Sequence, residues 1–150
     1  MFCYQCEQTA QGKGCATFGV CGKDPQTANL QDALVYVTKG MAMYGYRARQ
    51  LGAKSHALDL ALTEALFTTV TNVNFDAKKI EIRIREMATH RDTAKKLYEE
   101  VCKAQGKTPE ALQGPATFVP ASTIEGLAKQ GEEIGIQTRV ATLGEDLTGL

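Results

Sequence analysis

Leu30, Leu34, Val37, Met41, Tyr44, Ala48 and Leu51 follow one another at steps of four and three residues without a break. That 3.5-residue period is the seam of an α-helix lying nearly parallel or antiparallel to a neighbour. Thr27, just after Asp24-Pro25, is the expected N-cap. Arg47 and Arg49 fall in the last turn, where they complement the helix dipole, and Gly52 suits the left-handed position that ends a helix. Gly40 and Gly45 each weaken this helix by up to about 1 kcal/mol relative to alanine, a pair that suggests close backbone approach by a neighbour.

A second helix is expected from a cap at Ser55, with Leu58, Leu62, Ala65, Leu66 and Thr69 facing inward. Four β-branched residues from Thr68 to Thr71 weaken its far end, and Asn72 and Asn74 mark a turn. The third helix starts at Asp76, where Phe75 and Ile80 are spaced as a hydrophobic staple. Its seam is Ile80, Ile84, Met87, Ala94, Tyr98 and Val101, interrupted by Arg91, and Gly106 and Pro109 stop it. Short links between long amphipathic helices make antiparallel neighbours. The expected fold is therefore all-α, an up-down-up three-helix bundle over 24–106.

Either side of that bundle the periodicity is lost. Residues 107–150 are broken by Pro109, Pro115 and Pro120, with a capping box Ser122-Thr-Ile-Glu125 that predicts a short helix to about Lys129. Ile134-Gly-Ile136 and Val140 read as a buried connector, and Glu145-Asp146-Leu147 as the first turn of a further helix that the chain leaves unfinished. This segment is expected to be a linker, a short helix and the cut start of a next bundle. Residues 1–23 have no period at all and form a four-cysteine loop.

Cys3, Cys6, Cys15 and Cys21 stand as C-x2-C-x8-C-x5-C, with too little apolar sequence around them to make a core. A C-x2-C pair presents two thiolates from one tight turn, and the later cysteines can close a cage from a second loop. Gly12, Gly14, Gly19 and Gly22 flank the third and fourth cysteines and are expected to free backbone N–H groups to aim at sulfur. Phe2, Tyr4 and Phe18 are placed to shield the centre from water. Structural zinc, a disulfide framework and an iron–sulfur cluster all use cysteines this way; the stretched second pair weakens zinc, and spacing separates [4Fe–4S] from [2Fe–2S] poorly. A zinc-bearing helical binding or scaffold module is the alternative function. The fifth cysteine, Cys102, is expected to pack in the core.

Composition narrows the setting. The 150 residues are 43% hydrophobic but only 7% aromatic with no tryptophan, so an aliphatic and methionine core is expected. Seventeen basic side chains balance seventeen acidic ones, which argues against nucleic acid or an anionic membrane as partner. MFCYQC is no signal peptide, and the apolar run from Ala33 to Val37 is far too short to span a bilayer. A cytoplasmic location is the expectation, and there clustered cysteines point to metal or redox chemistry. His56 and His90 sit among charged or polar neighbours as solvated residues. Glu81, Glu86, Glu99 and Glu100 read as a solvated face paired with Lys78, Lys79, Lys95 and Lys96. No catalytic residue is assigned.

The stretch MFCYQCEQTA-x4-CATFGVCGK-x3-TANLQDALVYVTKGMAMYG, with LFTTVTNVNFD further on, resembles the N-terminus of the hybrid-cluster proteins, also called prismane proteins or hydroxylamine reductases. The likeness extends through the third helix and fades after about residue 110. It implies a cubane [4Fe–4S] cluster on Cys3, Cys6, Cys15 and Cys21, since members with longer spacing carry [2Fe–2S]. It also implies a helical first domain of two three-helix bundles, followed by two α/β domains. A catalytic hybrid iron–sulfur–oxygen cluster would be held by residues beyond this chain. The implied activity is reduction of hydroxylamine to ammonia, or of nitric oxide, fed by a ferredoxin-like or NADH-dependent electron donor. On this reading the chain is an N-terminal electron-relay portion, inactive alone and completed by missing C-terminal domains.

Overall fold

The computed structural model describes residues 2, 3, 6 and 15–144. Its elements are α1 (Pro25–Gln50), α2 (His56–Val70), α3 (Ala77–Ala104), a single 3-10 turn (Gly114–Thr117), α4 (Ile124–Ile134) and α5 (Ile136–Leu143). Every regular element among the described residues is helical, as the apolar periodicity required. Helix α1 is the axis of the molecule: it packs most extensively on α3, next on α4, and less on α2.

Asp24, not Thr27, caps α1. The Asp24 carboxylate accepts the Thr27 N–H at 2.6 Å, while Pro25 takes the first helical position, where a missing N–H leaves nothing unpaired. Ser55 and Asp76 cap α2 and α3 as expected. Gly52 and Gly106 follow the ends of α1 and α3 at φ of 88° and 65°, a region that side chains with a Cβ avoid.

The α1 seam is buried from Leu30 to Ala48, against Ile80, Ile84, Met87, Ala94 and Tyr98 of α3 and Leu127 of α4. Fully burying one such aliphatic side chain is worth about 1.5–3 kcal/mol. Two assignments move by one position. On α2 the inward stripe is Leu58, Ala61, Ala65 and Thr69, so Leu66, one residue and about 100° further round, is 40% exposed. On α3 the last inward place belongs to Cys102, buried in the core, with Val101 beside it half-buried.

Arg91 interrupts the α3 seam for a polar reason. It is buried, its guanidinium donates to the Phe118 carbonyl, and it pairs with Asp92 at 2.8 Å. It belongs to a set of contacts that strap 107–121 across the bundle. The Glu110 N–H donates to Tyr98 Oη at 3.1 Å, and Arg85 donates to the Ala121 and Ser122 carbonyls at 3.0 and 2.9 Å. Gln130 spans the same strand of chain, accepting from Ala121 N–H and donating to Val119 O at 2.9 Å each. The strap passes so close to Gly40 that a Cβ there would lie 2.1 Å from Pro115 O, whereas a Cβ on Gly45 would meet nothing within 4 Å.

The C-terminal part departs most from expectation. Thr123, not Ser122, caps α4 by accepting from Gly126 N–H at 3.1 Å, so Glu125 stands one place too early to close a capping box. Helix α4 runs past Lys129 to Ile134, where extended backbone at Gly135 breaks it. The expected buried connector is instead α5, which buries none of its residues. Glu145, Asp146 and Leu147 lie outside the described residues.

Candidate metal centre

Cys3, Cys6, Cys15 and Cys21 line one small cavity, with Gly19, Val20, Lys23 and Asn72 completing its wall. Cys15 is buried, Cys3 half-buried, and Cys6 and Cys21 reach the surface; none of the four is in a disulfide. Phe2 N–H donates to Cys15 O at 2.9 Å, tying the start of the chain to the third cysteine. The fourth cysteine sits in a tight turn that leads directly into Asp24, the cap of α1, so the cage is anchored on the beginning of the bundle's axis. Cys102 faces a different cavity, beside Leu51 and Tyr98 at the other end of α1.

The glycines act otherwise than expected. Gly19 N–H donates to Lys23 O at 2.7 Å and Gly22 N–H to Gly19 O at 2.9 Å, so these groups close the turn and do not point at sulfur. Gly19 is needed for space: a Cβ there would stand 3.0 Å from Lys23 O and 3.3 Å from Cys21 Sγ. Gly22 has φ of 91°. Phe18 is 58% exposed and so shields nothing, while Phe2 is half-buried. Gly12, Gly14 and Tyr4 lie outside the described residues.

Among the described residues, Lys23 and Asn72 address the sulfurs. Burial pushes the Cys21 thiol up, but hydrogen bonds from the Lys23 backbone and the Asn72 side chain, together with the Lys23 charge and the cysteine's own backbone, outweigh it and leave the thiol below its ordinary range. Asn72 reaches the cage from the end of α2 with φ of 51°, a conformation asparagine tolerates. Lys23 is only 1% exposed. Its Nζ stands 3.8 Å from Cys3 Sγ and 5.4 Å from the centre of the Phe75 ring. Neither residue stood out in the sequence. The available signals were position: Lys23 follows the fourth cysteine by two residues, and Asn72 opens the polar turn between α2 and α3.

The two segments flanking the cage meet behind it. Gln31 of α1 is fully buried and donates through Nε2 to Asn74 O at 2.8 Å, joining the TANLQD helix start to the TNVNFD turn. Asp32, on the same stretch of α1, is pushed up to about 6 by burial, against the opposing charges of Lys23 and Lys39.

The donor set fits an iron–sulfur cluster. Four cysteines line one space, no carboxylate or imidazole of a described residue does, and a cluster of several irons takes one thiolate at each. Among the described residues no three or more histidine, cysteine or acidic side chains, the four cysteines included, are grouped closely enough to hold a metal ion. His56 is exposed at the start of α2, and His90 half-buried on α3. Two of the acidic residues of α3 pair with arginine where lysine was expected, Glu81 with Arg85 at 2.7 Å and Glu86 with Arg83 at 3.2 Å; Glu99 pairs with Lys95 at 3.8 Å. No helix among the described residues is long and apolar enough to cross a membrane.

Comparison with known proteins places these features in context. The model of the Prismane/CO dehydrogenase family matches residues 1–150. A hydroxylamine reductase of Rhodospirillum rubrum is 49% identical over 150 residues, covering 100% of this chain and 27% of that protein. One from Geobacter sulfurreducens is 49% identical over 140 residues, covering 92% of this chain and 26% of its own. One from Acidithiobacillus ferrooxidans is 47% identical over 153 residues, 99% of this chain and 28% of that one. The chain thus spans about a quarter of the length of these relatives.

Proposed function

The chain belongs to the Prismane/CO dehydrogenase family, and from that premise we propose that Cys3, Cys6, Cys15 and Cys21 hold a [4Fe–4S] cluster that relays electrons. The observation that carries the reading is the convergence of these four cysteines, the only ligand type among the described residues of its lining, on one cavity at the start of α1. When bound, the cluster supplies a site that gains and loses one electron at a time. The chain supplies the rest. Four thiolates would ligate it, and buried Cys15 and Lys23 would close its inner side to water.

The relay serves a hydroxylamine reductase-type reaction, hydroxylamine to ammonia; this chain spans 27% of the Rhodospirillum rubrum relative, and we assign the catalytic residues to a part outside that span. Nitric oxide is a second substrate of the same reading. The electrons come from a ferredoxin-like protein or an NADH-dependent reductase. Hydroxylamine reduction takes two electrons and an open position at a metal, and a cage whose irons are each held by a protein thiolate offers none. This chain alone therefore does not turn over hydroxylamine.

The test is replacement of Cys15, the most deeply buried ligand, by serine in anaerobically purified protein. The unsubstituted chain is expected to be brown and Cys15→Ser colourless. Equal colour in both would show that the cage is not the chromophore's site.

A further inference from the structure

Lys23 is among the most deeply buried side chains of the chain, and it ends in a charge. Sequestering an ammonium group is costly unless opposite charge or strong dipoles surround it. Its described surroundings are Cys3 Sγ at 3.8 Å, the face of the Phe75 ring at 5.4 Å, and the Asp32 carboxyl group, which feels its charge. A methionine would fill the same volume without that cost. Among these described neighbours the cage is the one whose negative charge would grow in use.

We infer that Lys23 is a positioning residue of the cage, its buried ammonium holding Cys3 and making the metal group on the four thiolates easier to reduce. The inference rests on the cluster reading above. Each electron added to a four-thiolate cage makes it one charge more negative, and a fixed positive charge a few ångströms away, shielded from water, stabilises the reduced state more than the oxidised one. Phe75, from the turn after α2, lies under the Lys23 ammonium, and Asn72 lines the same cavity as the lysine and the cysteines. Asp32, whose carboxyl group feels the Lys23 charge, acts in the opposite sense when ionised.

The experiment compares the chain with Lys23→Met, Lys23→Gln and Lys23→Arg, all loaded anaerobically with iron and sulfide. Iron content is measured, and the midpoint potential is read by electron paramagnetic resonance during titration with dithionite. The neutral variants should retain iron and be harder to reduce by tenfold or more in equilibrium constant, about 59 mV for a one-electron couple; Lys23→Arg should stay close to the unsubstituted chain. A neutral variant with full iron and an unchanged potential overturns the inference. So does failure of both neutral variants to load iron while Lys23→Arg loads, which would make the lysine an assembly residue only. An unsubstituted chain that binds no iron overturns the cluster reading itself, and this inference with it.

Discussion

Gly131 of α4 lies so close to Asn29 of α1 that a Cβ built on the glycine would stand 1.9 Å from the Asn29 carbonyl oxygen. Backbone cannot yield as a side chain does, so the two helices must separate to admit a methyl group. Gly131→Ala is expected to cost about 2–3 kcal/mol in urea unfolding followed by circular dichroism. Gly40→Ala should cost a similar amount against the Pro115 carbonyl. Gly45→Ala, which meets nothing within 4 Å, should instead stabilise by about 0.5–1 kcal/mol through helix propensity alone. Equal effects at the three sites would contradict the packing described.

Asp32 gives the fold a pH dependence of definite sign. Its folded-state pKa is pushed up from 3.8 to about 6 by burial, with Lys23 and Lys39 opposing the shift. The folded state therefore favours the protonated acid. That stabilisation is fully present below about pH 3.8 and is lost as pH rises through about 6. At 1.36 kcal/mol per unit, Asp32→Asn should gain up to about 3 kcal/mol on the native chain between pH 4 and pH 7.5. Parallel stability curves for the two proteins would refute the shift.

Much of the bundle was legible because apolar periodicity is a strong signal over long helices. The seams of α1 and α3 followed from spacing alone, as did the caps at Ser55 and Asp76 and the stop at Gly52. Where neighbouring residues compete for one role, local pattern was ambiguous by a single step. Asp24 displaced Thr27, Thr123 displaced Ser122, and Ala65 kept Leu66 out of the interior. Arg91 could not be understood locally, since its partner at Phe118 is 27 positions away. Helix α5 was missed because it buries nothing, so no periodic face announces it. At the cage, spacing pointed to the four cysteines that line one cavity. Gly19 allows the close approach expected of it, while the N–H groups of Gly19 and Gly22 close a turn and do not aim at sulfur. Lys23 and Asn72 went unread because their role depends on the turn between α2 and α3 folding back over the N-terminus.

The helical body should not depend on the cage. The buried seams of α1, α3 and α4 contain none of the four clustered cysteines, and their packing is aliphatic. Cys15→Ser should leave far-UV circular dichroism nearly intact even as it removes colour. Collapse of the helical signal would mean that metal organises the whole chain, as it does in small zinc-dependent domains.

What the four cysteines hold decides the function proposed for this chain. Iron, zinc and acid-labile sulfide should be measured per chain on protein purified without air, together with its visible spectrum. The expected result is about four irons and four sulfides with broad brown absorption, the composition of a cubane cluster bound by four thiolates. One zinc per chain, no sulfide and a colourless solution would contradict it and make the cage a structural metal site.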